Sequence, residues 1–231
     1  MESTTAPKTF NDIQKEYDEL YQVDGVRDDD RAYAFHAKKI FELKNDSRKV
    51  LDIACGGGYF LREIRDLKGA GNVELYGADI SSVALEKAKI ECPEAKYLVT
   101  VAEDMPFENT FFDTITCLGS MEHFLDIEKA LGEMKRIAKD DALFYIMVPN
   151  MFWYKDIFSV LCSKTRIQRN QTQERFLTQG EWIELIESGG LKVSQTLKYN
   201  GIAKYDWKQA IKDIVIPVRF SYHFIFVCRK I

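Results

Sequence analysis

Residues 52–58 read Asp52-Ile53-Ala54-Cys55-Gly56-Gly57-Gly58, and Asp79 follows 21 positions after Gly58. Glycines let a backbone turn sharply into a helix and approach a ligand closely. An acid at the tip of the next strand can accept two hydrogen bonds from a ribose diol, and such a charge-assisted bond contributes about 1.5–3 kcal/mol. Asp52, at the tip of the first strand, is placed to meet a cationic group. His123 follows the tip of a later strand, and its ordinary pKa near ~6.5 suits proton transfer. Its alternative role is a hydrogen-bonded structural histidine.

Elements with the right periodicity surround these residues. Lys49–Ala54 reads as a buried strand and Tyr59–Leu67 as an amphipathic helix. Val73–Ala78 is a second strand, and Ser81 or Ser82 caps a helix through Lys89. Ala95–Thr100, Phe112–Leu118 and Ala142–Val148 are three more strands, with a helix over Ile127–Ala138 between the last two. Thr178-Gln179-Gly180-Glu181 forms a capping box for a helix that Gly189-Gly190 ends. Leu191–Leu197 and Ser221–Cys228 complete the strands, and two helices over Phe10–Tyr21 and Arg31–Leu43 precede the first. Alternating strands and helices predict an α/β fold, a parallel sheet covered on both faces, with ligands at the carboxyl edge of the strands.

Two cofactor classes use a strand, a glycine loop and a later acid. A dinucleotide fingerprint GxGxxG wants a glycine at position 61, which is Leu61. What survives is Asp52-x-Ala54-x-Gly56-x-Gly58. This resembles the D-x-G-x-G-x-G motif of the class I S-adenosylmethionine-dependent methyltransferases. Ala54 stands where the first glycine would be, which requires that its φ be negative. Tyr76-Gly77-Ala78-Asp79-Ile80-Ser81 is similar to the family's second motif, whose acid holds the ribose. Ala102-Glu103-Asp104-Met105-Pro106-Phe107 with Phe111-Phe112-Asp113 looks like a third block. Ser120-Met121-Glu122-His123-Phe124 and Val148-Pro149-Asn150 match later ones. The resemblance covers residues 48–198.

The resemblance implies a Rossmann-like seven-stranded, mostly parallel sheet with its last strand antiparallel, a helical N-terminal extension and a cap. It implies S-adenosylmethionine held by Asp52, Ala54, Gly56, Gly58, Asp79, Ile80, Ala102, Glu103 and Leu118, with His123 as base toward a small-molecule acceptor through oxygen or nitrogen. Val101 stands where the family often has an acid for the adenine amino group, which leaves adenine to Glu103 or the backbone near Ala102. A catalytically silent cofactor-binding module and a nicotinamide-dependent oxidoreductase are the alternatives.

Length and composition fit one domain: 231 residues, 46% hydrophobic. Its parts are an N-terminal extension over 1–44, a cofactor core over 45–150, a substrate cap over 151–177 and the rest of the sheet over 178–231. A net charge of −4 and a pI near 5.6 argue against nucleic acid. So does the lack of an N/D-P-P-Y tetrapeptide after the fourth strand. Five scattered cysteines without a CxxC pattern exclude a zinc ribbon, predict no metal site and fit a reducing cytoplasm. The N-terminal stretch lacks an apolar core for a secretory signal, and no run reaches the ~20 apolar residues of a membrane helix. Oligomeric state is not readable.

Aromatic residues are 13% of the chain. Phe152, Trp153, Tyr154, Phe158 and Phe176 fall in 151–177, beside five basic residues against two acids, a net +3 that leaves −7 elsewhere. This segment is expected to supply aromatic walls and an anion contact, with Arg166 and Arg169 in that role. The two N-terminal helices are a second candidate roof. His36 and His223 are read as structural.

Overall fold

The computed structural model describes residues 8–23, 30–163, 175–201, 211 and 214–231. Helices α1 (Phe10–Val23) and α2 (Asp30–Leu43) come first. Then β1 (Lys49–Ile53), α3 (Tyr59–Lys68), β2 (Glu74–Asp79), α4 (Ser82–Glu91) and β3 (Lys96–Val99) alternate. They are followed by β4 (Phe112–Leu118), α5 (Ile127–Ile137), β5 (Ala138–Pro149) and α6 (Tyr154–Ser163). Helix α7 (Gln179–Ser188) and strands β6 (Leu191–Tyr199) and β7 (His223–Lys230) close the chain.

The sheet order is β3-β2-β1-β4-β5-β7-β6. β7 runs antiparallel between β5 and β6, and the other pairs are parallel. The expected Rossmann-like sheet with an antiparallel last strand is therefore present. The chain leaves β1 toward β2 on one side and returns through β4 on the other. The carboxyl ends of β1 and β4 thus flank the switch point, where open α/β sheets bind ligands.

Each face buries its own core. Ile53, Phe112, Cys117, Phe144, Phe226 and Trp182 pack under α5 and α7. Val50, Leu61, Ile64, Tyr145, Met147 and Val227 pack under α2, α3 and α4. Leu61 is wholly buried there, so the position where a dinucleotide fingerprint needs glycine is filled by core packing. Local signals hold the helices in place. Thr178 and Glu181 exchange both bonds of the capping box, worth about 1 kcal/mol for the threonine alone. Ser81, of the two serines considered, caps α4 by accepting from Ala84 N.

Helix α6 falls where the sequence shows no periodicity, and two strand starts differ from expectation by two residues or more. β5 starts at Ala138 rather than Ala142, because Ala138 pairs with Phe112 before the register shifts. The polar Lys139-Asp140-Asp141 hides this start in the sequence. β7 starts at His223, after a 3-10 turn over Val218–Phe220.

Candidate cofactor and acceptor cleft

A cleft lies at the carboxyl edge over β2, β1 and β4. Its floor is made of Ile53 and Ala54 at the end of β1, and Ala78, Asp79 and Ile80 at the end of β2. Thr100–Glu103 follow β3, and Gly119, Ser120 and His123–Leu125 follow β4. Its roof is α1, through Phe10, Ile13, Tyr17 and Tyr21.

Of the residues that the sequence proposes for the site, Ala54, Asp79, Ile80, Ala102, Glu103 and His123 line this cleft, while Asp52, Gly56, Gly58 and Leu118 do not. Asp79 is 6% exposed. Its Oδ2 accepts from Gly56 N and its Oδ1 from Ser81 N, each at 2.8 Å. One carboxylate therefore ties the glycine loop to the start of α4. The N–H of Ile80 acts on the same carboxylate, which leaves about one of its roughly four acceptor positions for a diol. Burial pushes its pKa up, and the N–H groups of Ser81 and Gly56 oppose that.

The glycine loop departs from the expected conformation at one residue. Ala54 has φ 56°, not a negative value. The left-handed region costs a non-glycine residue about 1–2 kcal/mol. The neighbouring bonds hold it: Cys55 N donates to Ala78 O at 3.1 Å and Gly58 N to Cys55 O at 3.0 Å. Gly58 has φ 75°, and a Cβ there would meet Ala88 Cβ at 2.9 Å. It brings α3 against α4 rather than touching the cleft.

Asp52 is 3% exposed and lies beneath the loop. The expected approach to a cationic group is not seen: its Oδ1 accepts from Thr116 Oγ1 of β4 at 2.6 Å. Thr116 Oγ1 also lies 3.2 Å from Leu51 O. Burial pushes the Asp52 carboxyl up to about 7; the Thr116 bond opposes this and the charge of Asp79 adds to it.

The native chain thus keeps a proton on Asp52 that an unfolded chain releases near its ordinary 3.8. Stability from this group is complete below that value and is lost as pH rises through about 7. Asp52→Asn is expected to flatten the fall in unfolding free energy across that window. Urea midpoints at its two ends check this, and an unchanged difference between them counts against it.

The segments after β3 and β4 are fixed from outside the cleft. Arg136 of α5 donates to Met105 O at 2.7 Å and Phe107 O at 2.8 Å, and Glu133 accepts from Met105 N at 3.0 Å. Glu103, 3% exposed, accepts from Asp126 N at 3.2 Å. His123 ends the 3-10 turn Met121–His123, with its Nε2 3.9 Å from Glu122 Oε1. Arg175 N donates to Glu122 O at 3.2 Å, and its guanidinium donates to Phe124 O and Leu125 O.

The expected cap over 151–177 falls partly outside the described residues, which leave out 164–174. None of the described residues of 151–177 lines the cleft, and Phe152 and Phe158 are exposed. Lys155 stands over the Trp153 ring, and Arg175 is spent on carbonyls. Lys164, Arg166 and Arg169 lie outside the described residues. The apolar roof is α1, the other candidate. Its Asp18 Oδ1 accepts from Ser81 Oγ at 2.6 Å and Val83 N at 3.2 Å, and Lys87 Nζ donates to Tyr21 O at 2.5 Å.

Residues 51–146 match the model of a methyltransferase domain. A protein of Methanocaldococcus jannaschii without an assigned function is 30% identical over 204 residues, 87% of this chain and 70% of that one. The chain belongs to the class I S-adenosylmethionine-dependent methyltransferases. Its relatives include the ubiquinone/menaquinone biosynthesis C-methyltransferase of Citrifermentans bemidjiense, 28% identical over 64% of this chain and 66% of that enzyme. The crystal structure of an S-adenosylmethionine-dependent methyltransferase from Aquifex aeolicus superposes with a TM-score of 0.62 at 16% identity, covering 97% of this chain and all of that one.

S-adenosylmethionine is the cofactor of this methyltransferase, and the residues present fit it. A buried carboxylate with acceptor capacity to spare suits the ribose diol. Ile80 and Val101 offer apolar walls to a purine. No group of three or more metal-binding side chains occurs among the described residues. None of their helices is long and apolar enough to cross a membrane.

Proposed function

We propose that this methyltransferase methylates an oxygen or nitrogen of a small molecule, with His123 as the base. The observation that carries this reading is the position of His123 in the cleft that Asp79 also lines. β2 and β4 flank β1 in the sheet. The tips that carry Asp79 and lead to His123 are therefore two strand spacings apart, about 10 Å. An acceptor bound between β4 and α1 meets His123 on the side away from the ribose acid.

When bound, S-adenosylmethionine supplies an electrophilic methyl on a sulfonium. Held beside Asp79 and Ile80, it would supply that methyl to the acceptor atom and leave as the neutral thioether. The acceptor proton passes to His123. The chain's remaining work is proximity and alignment. Asp79, Ile80, Ala102 and Glu103 hold the donor, with Ala54 and the loop behind it. Asp52, Gly56, Gly58 and Leu118 act from beneath by shaping that loop and strand tip.

Acids at the cleft and an overall negative charge favour a small acceptor over nucleic acid. Five free thiols, four of them buried, suit a reducing cytoplasm. Incubation with methyl-labelled cofactor and a set of hydroxylated and aminated ring compounds tests the reading. Label is expected on oxygen or nitrogen; label found only on carbon, or no S-adenosylhomocysteine above the blank, overturns it.

A further inference from the structure

One side chain of α1 reaches down to the glycine loop. Tyr21 is the one buried residue of that helix and packs in neither core. It lines the cleft, whereas Gly56 does not. The reason is that the Tyr21 hydroxyl lies over Gly56. A Cβ built at Gly56 would overlap that oxygen and meet the ring carbon bearing it at 3.4 Å. Gly56 is thus glycine on two counts: its φ is 51°, and a phenol oxygen stands where a side chain would begin.

The main chain around Tyr21 is tied down. Lys87 Nζ donates to Tyr21 O at 2.5 Å, and Asp18, three residues earlier, accepts from Ser81 Oγ at 2.6 Å. Both bonds run to α4 or its cap, so the ring is aimed from a fixed base. Burial pushes the Tyr21 phenol well above its ordinary value, and the charge of Asp79 adds to this. The hydroxyl therefore keeps its proton and is a donor. No hydrogen bond from the described residues uses it.

The order of strands says which part of the cofactor passes beneath. The sheet runs β3-β2-β1-β4. Val101 follows β3, Asp79 ends β2 and the glycine loop follows β1. A nucleoside with its ribose on Asp79 and its purine toward Val101 sends its 5′ substituent the other way. That substituent crosses one strand spacing, about 5 Å, and lies over the loop. In S-adenosylmethionine it ends in an ammonium and a carboxylate.

The carboxylate needs donors. None of the residues that line the cleft is Lys or Arg, and two of them, Asp79 and Glu103, are acids. It is therefore held by hydrogen bonds rather than by an opposite charge. Two N–H groups of the loop are already spent, Gly56 N on Asp79 and Gly58 N on Cys55 O. The phenol over Gly56 is a protonated donor at the right place.

We propose that Tyr21 is a cofactor-binding residue, whose hydroxyl donates to the carboxylate at the amino-acid end of S-adenosylmethionine. The proposal rests on the placement of the ribose at Asp79. It makes α1 part of the cofactor site as well as a roof over it. A nucleoside that lacks the carboxylate leaves α1 with its bonds to α4 alone.

Calorimetry with two ligands tests this. One is S-adenosylhomocysteine; the other is its decarboxylated analogue, which keeps the nucleoside, the thioether and the ammonium. Tyr21→Phe keeps the ring over Gly56 and removes only the hydroxyl. It is expected to weaken S-adenosylhomocysteine about tenfold to a hundredfold, the weight of a hydrogen bond to a charged group. Affinity for the analogue should stay at the wild-type value. Unchanged affinity for S-adenosylhomocysteine in Tyr21→Phe overturns the proposal. An equal loss on both ligands overturns it too, since that marks a hydroxyl that only supports the loop. Asp79→Ala is expected to weaken both ligands alike. If it leaves both at wild-type affinity, the ribose placement fails, whatever Tyr21→Phe does.

Discussion

Replacing His123 with glutamine is expected to slow methyl transfer by a factor of about 100 to 10,000, the usual contribution of a positioned proton acceptor. Affinity for S-adenosylhomocysteine should stay the same. Glutamine keeps polarity and approximate size but cannot take a proton. The imidazole lies on the wall that follows β4, and Arg175 secures that loop from outside by donating to Phe124 O and Leu125 O. The loop should therefore survive the substitution. Steady-state kinetics on any acceptor that accumulates methyl label checks this. A His123→Gln enzyme with full turnover would falsify the assignment. Loss of cofactor affinity in the same variant would show that the side chain supports the loop rather than the chemistry.

Asp79→Ala is expected to weaken S-adenosylhomocysteine binding about a hundredfold, because one charge-assisted bond contributes about 1.5–3 kcal/mol and each 1.4 kcal/mol is tenfold. A second effect compounds the first. Asp79 also receives the N–H groups of Gly56 and Ser81. Alanine leaves both without their acceptor and frees the glycine loop from the start of α4. Ser81 still caps α4 through its own hydroxyl, so the helix keeps its first turn. Calorimetry on Asp79→Ala and Asp79→Asn separates the contributions, since asparagine retains one acceptor oxygen and loses the charge. Wild-type affinity in the alanine variant would remove Asp79 from the ribose contact.

Local patterns made most of the sheet legible. Buried strands bounded by Gly, Pro or Asp stood out, and Thr178 with Glu181 marked a helix start that the structure reproduces bond for bond. What escaped was non-local. The start of β5 is polar in sequence and becomes strand because Phe112 lies opposite Ala138. The sign of φ at Ala54 is set by bonds on either side of it, including one to Ala78 on the next strand. Asp52 looks like a strand-tip acid until Thr116, 64 positions later, appears beside it. The ring-rich segment 151–177 and the N-terminal helices are both candidate walls in the sequence; among the described residues the cleft takes its rings from α1, where Phe10, Tyr17 and Tyr21 recur at helical spacing, and from Phe124. His36 and His223 carry no shared sequence pattern; the Tyr199 ring between them joins them.

The fastening of α1 has a kinetic meaning. Among its residues only Tyr21 is buried, and its ties to α4 are the bonds of Asp18 and Lys87. Such an element opens at far lower free energy than the sheet beneath it. Cofactor exchange can then proceed by detaching one helix while both cores stay closed. Changes at Asp18 and Lys87 are then expected to alter the residence time of the spent cofactor, and changes at Asp79 its affinity. Selection can therefore tune turnover and saturation through different residues.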